Sequence, residues 1–147
     1  MPTTDPDRIV VPLDDAECRA LLRGGRIGRI AFTRNALPAV QPVSYRVHDG
    51  EVVIPAYLTS PFVPRAWGAV VAFEVDSHDA LTRAGWAVTV VGPSRSVHSP
   101  AEVAALDTLP WPLPMATCGR CYVAVRIGLL SGWRTEPATP ELPHRRG

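Results

Sequence analysis

From Gly28 to Tyr45 the chain alternates apolar and polar residues in two runs, G-R-I-A-F-T-R and L-P-A-V-Q-P-V-S-Y, around a short polar break. Ile30 and Phe32 share one face of the first run. In the second, Val40, Pro42 and Ser44 oppose Ala39, Gln41, Val43 and Tyr45, and a period of two belongs to a strand. The pattern predicts a hairpin. Pro38 and Pro42 lack the N–H that a ladder needs, so the second strand is expected at an edge, open to a ligand. Asp49-Gly50 suits a tight turn, and Glu51 to Ala56 predicts a third strand that continues a meander. Ala69 to Asp76 reads as a buried strand, Gly85 to Val97 as another, and Tyr122 to Leu129 as a sixth.

Helical signals sit between these runs. Asp14 as N-cap, Glu17 as its capping-box partner and Leu13 against Cys18 start a helix that Gly24-Gly25 stops. Ser60 as N-cap and Pro61 at the first helical position predict a short second helix, whose N-terminus would attract an anion. Ser99 and Glu102 have the spacing of another capping box, opening a helix with Val103, Leu106 and Leu109 on one face. Residues 1–8 are expected to be a disordered lead, 9–134 one domain, and the Pro-rich 135–147 a disordered tail. Six strands joined mostly as neighbours, with two or three short helices, predict a mainly β (α+β) chain, a small antiparallel barrel with helical covers.

Composition narrows the partners. The 147 residues carry 15 basic and 14 acidic side chains, a net charge of +1 that gives no broad reason to expect nucleic acid or an anionic membrane. Every basic residue is arginine, which excludes a Schiff-base lysine and leaves Arg, His and backbone N–H groups to hold an anion. No apolar run approaches the ~18 residues of a membrane span, and three cysteines fit a reducing compartment, so a cytoplasmic protein is expected.

The stretches L-L-R-G-G-R-I-G-R-I-A-F, P-A-V-Q-P-V-S-Y, D-G-E-V-V-I, V-A-F-E-V-D and G-W-A-V-T-V-V-G occur in an order and at spacings that resemble the pyridoxamine 5'-phosphate oxidase-like family over residues 10 to 134. The resemblance implies a six-stranded antiparallel split β-barrel that forms a homodimer, with FMN, or a deazaflavin in some relatives, in a groove between subunits. It places Gln41, Pro42, Val43 and Ser44 around the flavin ring. In that family an Arg-Thr pair ending the third strand and a Ser-Lys pair at the next helix hold the phosphate. Here those positions are Pro55-Ala56 and Ser60-Pro61, so both cations are missing. Thr59, Ser60 and Arg65 are the available replacements, and weak FMN binding is expected.

Two function classes follow. One is a flavin-dependent oxidoreductase acting on a small molecule of unknown identity, in which the cofactor carries the chemistry and no side chain need be a catalytic acid or base. The other is a degenerate split barrel that no longer binds FMN and serves as a ligand- or protein-binding module. Cys118-Gly119-Arg120-Cys121 has the spacing of a redox dithiol or half a zinc site. The four histidines are scattered and no βαβ context surrounds the motif, so no metal is expected and two cysteines leading into a strand are the default. Trp67, Trp86, Trp111 and Trp133 are read as core or interface anchors.

Overall fold

The computed structural model describes residues 7–112 and 119–138. Among them the chain runs β1 (Arg8–Pro12), α1 (Asp15–Gly24), β2 (Ile27–Arg34), β3 (Leu37–Ser44), β4 (Arg46–His48), β5 (Glu51–Tyr57), β6 (Val70–His78), β7 (Gly85–Val97), α2 (Pro100–Asp107), β8 (Arg120–Arg126) and β9 (Leu129–Pro137). All pairings are antiparallel. Hydrogen-bonded neighbours follow the order β3-β2-β6-β7-β8-β5-β4, with β9 on β7 and β1 on β9. The two ends of that path do not pair, so the barrel is split.

The β2–β3 hairpin forms through Asn35 (φ 52°) and Ala36 (φ 63°), and the β4–β5 hairpin through Asp49 (φ 49°) and Gly50 (φ 72°). Two successive left-handed residues match the twist of paired strands. β3 lies at an edge as its prolines require, with Pro42 and Pro38 opposite Arg29 and Thr33 of β2 and no strand among the described residues paired on its other side.

The strand count is nine rather than six, and three readings of the sequence change with it. The meander is not formed: β5 ladders with β8 and β4, never with β3. The run from Tyr122 to Leu129 is not one strand, because Ile127-Gly128 separates β8 from β9. Both of these strands pair with the same side of the long β7, β9 with Trp86–Val91 and β8 with Ser94–Val97. At the crossover two backbones pass so closely that a Cβ on Gly92 would lie 1.9 Å from the Arg126 carbonyl oxygen, and one on Gly128 2.8 Å from that of Val91. Only glycine fits at either place. The ends of the chain are also used: Arg8 starts β1 and the last strand reaches Pro137, with Arg8 opposite Pro137 in the register.

α1 has the expected reciprocal cap, Glu17 N–H donating to Asp14 Oδ1 at 2.8 Å and Asp14 N–H to Glu17 Oε2 at 3.2 Å. It buries Cys18 and Leu22 against the barrel, where Ile30, Val52, Ile54, Phe73, Val88, Val90, Val123 and Val125 form the main core. Tyr45 locks helix to sheet. Its ring is wholly buried 4.6 Å from Phe73, and its hydroxyl donates to the Leu22 carbonyl at 2.6 Å. α2 covers a second cluster of Val53, Val97, Leu106, Tyr122 and Ala124, with Val103 and Leu109 on the expected face. Its capping box is absent: Ser99 makes no side-chain cap bond, and Glu102 instead pairs with Arg95 at 3.2 Å. Arg95 also binds Glu51 at 2.9 Å, so this carboxylate has a stronger partner than a backbone N–H.

Candidate functional site

The gap between β3 and β5 is a groove of about 280 Å³. One wall is Gln41, Pro42, Val43 and Ser44 of β3. The facing wall is Pro55, Ala56 and Tyr57 of β5, and Ser60, Phe62 and Trp111-Pro112 complete the lining. Proline makes each wall. β4 pairs with β5 only as far as Val53, so Pro55 sits where β5 has a ladder neighbour, β8, on one side only.

Among the described residues no lining side chain carries a charge. Val43, Ala56 and Phe62 supply apolar surface, while the Gln41 amide and the Ser44 and Ser60 hydroxyls supply the polar groups. Phe62 packs edge-on against Phe32 at 6.3 Å. Such a groove suits a flat, neutral heteroaromatic ring with donors and acceptors on its rim. It offers no carboxylate or imidazole for proton transfer.

The expected short helix at Ser60 is not formed. Residues 58–68 are turns and bends. Ser60 N–H donates to the Tyr57 carbonyl at 2.8 Å, and Ser60 Oγ accepts from Tyr57 N–H at 3.0 Å. Two prolines, Pro61 and Pro64, fall in one would-be turn of helix, and Ser60 closes a local serine turn instead. The anion site built on a helix dipole is therefore removed. Because Ser60 Oγ is acting as acceptor, its own hydroxyl proton is left to donate.

The residues singled out from sequence divide between two places. Gln41, Pro42, Val43, Ser44 and Ser60 come together in the groove. Thr59 and Arg65 line a neighbouring depression of about 530 Å³, which shares Ser60 with it. The sequence reading missed Tyr57, Phe62 and Trp111. Trp111 was read as an anchor, and it is one, its ring stacked on Tyr122 at 5.5 Å and its Nε1–H donating to the Leu106 carbonyl at 2.9 Å. It also walls the groove, and the flanking prolines of L-P-W-P were the available signal. Arg46 fixes that passage by donating to the Pro110 carbonyl.

Other chemistry lies apart from the groove. Cys121 is buried opposite Ala56, burial pushing its thiol up, whereas Cys118 falls outside the described residues. Among the described residues no group of three His, Cys, Asp or Glu side chains is placed to hold a metal. On the outer face of β2 and β6, Arg29 reaches Asp76 at 3.2 Å and Glu74 at 3.6 Å. Burial, and then a hydrogen bond and charge from Asp76, push Glu74 up to about 7. Burial opposes the shift of Asp76, but hydrogen bonds from Glu74 and Arg29 hold it below the usual carboxylate range.

A sequence profile of the family described as pyridoxamine 5'-phosphate oxidase matches residues 14–132. The uncharacterized protein Rv0080 of Mycobacterium tuberculosis is 40% identical over 111 residues, spanning 71% of this chain and 73% of that protein. The FAD binding protein of Mycobacterium smegmatis superimposes with a TM-score of 0.69 at 28% identity, covering 86% of this chain and 98% of its own. A FAD-binding protein of Mesorhizobium loti, 22% identical with a TM-score of 0.63 over 86% of this chain and 98% of that one, shares the fold.

Proposed function

The chain belongs to the pyridoxamine 5'-phosphate oxidase family, and from that premise we propose that it is a flavin-binding oxidoreductase holding the ring of FMN, FAD or a deazaflavin in the β3–β5 groove. The observation that carries this reading is the groove itself: uncharged, walled by Trp111 and the proline-marked edge of β3, with the Gln41 amide and two hydroxyls as its polar groups. Its volume of about 280 Å³ is near the lower end of the roughly 300–1,000 Å³ of ligand pockets, which fits a ring whose tail continues past Ser60. A flavin would supply hydride or electron transfer. This chain's residues would orient it, with Gln41 at the rim, Val43 and Phe62 excluding water and Ser60 donating toward the tail.

The substrate in the family's name does not come with membership, since specificity lies in the groove and its loops. A homodimer is part of the proposal. The outer face of the sheet carries one register row, Val40-Ala31-Ala72-Val91-Leu129, that is apolar across five strands. Val40 is 66% exposed and Leu129 72%, and Val70, two residues from Ala72 on the same face of β6, is 68% exposed. An apolar band beside an unpaired edge favours a second copy. A reducing, cytoplasmic setting is also proposed, supported by the free thiols of Cys18 and Cys121.

The alternative, a barrel that has abandoned flavin for another ligand or a protein, is favoured by Pro55 and Ala56 standing where the family's Arg-Thr pair is expected. Titrating riboflavin, FMN, FAD and a deazaflavin while following ring absorbance and fluorescence separates the two. Saturable binding of at least one is expected, together with a dimer by sedimentation. Failure of all four to bind at ligand concentrations up to a millimolar would establish the alternative.

A further inference from the structure

Among the described residues the groove has no charged lining, yet two arginines line the space just beyond it. Arg34 ends β2 immediately before the Asn35-Ala36 turn, and Arg65 follows Pro64 in the 58–68 segment. Together they line the depression of about 530 Å³ with Thr59 and Ser60, and also the adjoining one of about 260 Å³ with Phe32 and Phe62. Ser60 and Phe62 are shared with the groove, so the three spaces adjoin, and a ligand lying along them would follow one trough.

Among the described residues neither depression is lined by an Asp or Glu. Among the described residues neither guanidinium has an ion-pair or hydrogen-bond partner, whereas Arg19, Arg29, Arg95, Arg120 and Arg134 each hold a carboxylate. Two guanidiniums sharing a concavity without a counter-charge repel one another, and an anion between them reverses the sign. Planar, forked donors suit phosphate or carboxylate oxygens, and the Ser60 and Thr59 hydroxyls add to them.

We propose that Arg34 and Arg65 clamp the anionic tail of the bound flavin, and that the tail reaches past Ser60, beyond where the phosphate of FMN would lie. This rests on the flavin reading above and deepens it. A tail of that length has two sources, the diphosphate of FAD with its nucleoside or the acidic tail of a deazaflavin, whereas the phosphate of FMN, close in charge to that of FAD, stops short of the clamp. The cations lost near Pro55 and Pro61 are then not replaced in place. They are displaced along the trough to where a longer tail ends.

The test is a titration of wild type, Arg34→Gln, Arg65→Gln and the double variant with riboflavin, FMN, FAD and an acidic-tailed deazaflavin at low and high salt, read by quenching of ring fluorescence. Both arginines are exposed, so the variants are expected to keep the wild-type melting temperature. Riboflavin should bind all four proteins alike and without salt dependence. FAD or the deazaflavin should bind wild type about a hundredfold more tightly than riboflavin, and each substitution should remove about tenfold of that advantage. Whichever ligand shows the advantage identifies the source of the tail. FAD and the deazaflavin both binding no more tightly than riboflavin would overturn the clamp and leave the flavin reading standing, as would variants that retain the advantage or FMN matching the ligand that shows it. Absence of binding by every flavin would overturn both.

Discussion

Trp111 is both a groove wall and a structural tether, and two substitutions separate the roles. Trp111→Phe keeps an aromatic wall and loses the Nε1–H bond to the Leu106 carbonyl. That carbonyl still accepts from Leu109 N–H at 3.1 Å, so no buried acceptor is orphaned and the stability cost should be only about 0.5–1 kcal/mol. Trp111→Ala also removes the stack on Tyr122, about 0.5–1.5 kcal/mol, and exposes the apolar surface beneath it. With Trp111 only half-buried, the total should be about 2–3 kcal/mol. Urea unfolding measures these directly. Ligand affinity should divide differently: Phe should hold riboflavin within about twofold of wild type, and Ala should lose about tenfold, near the stacking energy of one aromatic contact. Equal affinity losses in Phe and Ala, or none in Ala, would show that Trp111 does not face the ligand.

Tyr45→Phe removes the 2.6 Å bond to the Leu22 carbonyl inside the core and should cost about 1–2 kcal/mol. Gly25→Ala places a Cβ 2.1 Å from Tyr45 Oη, so its penalty should shrink in the Tyr45→Phe background, and strictly additive unfolding energies would contradict that contact. Glu74, raised from the ordinary 4.5 to about 7, keeps in the folded state a proton that the unfolded chain releases, so its contribution to stability falls as pH rises through that window. Glu74→Gln should flatten the decline and stabilise the protein by about 1 kcal/mol at pH 8, a value reduced for partial exposure, and unfolding curves at pH 5 and pH 8 with an unchanged difference would refute the shift.

What could be read from sequence was what local periodicity and capping decide. The β2–β3 alternation, the edge position forced by Pro38 and Pro42, and the Asp14–Glu17 cap are all properties of fewer than twenty consecutive residues. The readings that failed depended on tertiary competition. Glu102 had the spacing of a capping residue, but Arg95, seven residues earlier, was a better partner. Tyr122 to Leu129 kept a strand-like pattern through Gly128, whose break comes from the close passage of Gly92 on β7. Ser60-Pro61 carried a helix-start signal, yet Pro64 made a continuing helix unfavourable. In the site, β3 was identifiable because its own prolines announced an open edge. Trp111, more than sixty residues away in sequence, could be assigned to the groove only once β8 had carried Tyr122 beneath it.

The opening that makes the site has a chemical cause in the backbone. Closing the barrel would require Gln41–Ser44 of β3 to ladder with the part of β5 beyond Val53, where β4 no longer pairs. Pro42 stands on one side of that gap and Pro55 on the other, and neither has an N–H to give. A proline on each facing segment blocks the ladder from both directions, so the gap persists as a groove instead of annealing into a ninth pairing. Pro55 thus has a structural consequence beyond displacing a phosphate-binding arginine. It helps hold the groove open while removing its charge, leaving a neutral slot for a ring. The charge reappears at Arg34 and Arg65, on turns past Ser60 where guanidiniums remain hydrated and need no buried partner. On the proposed reading, ring recognition and anion recognition are carried by different segments of chain, the first by strand edges and the second by turns.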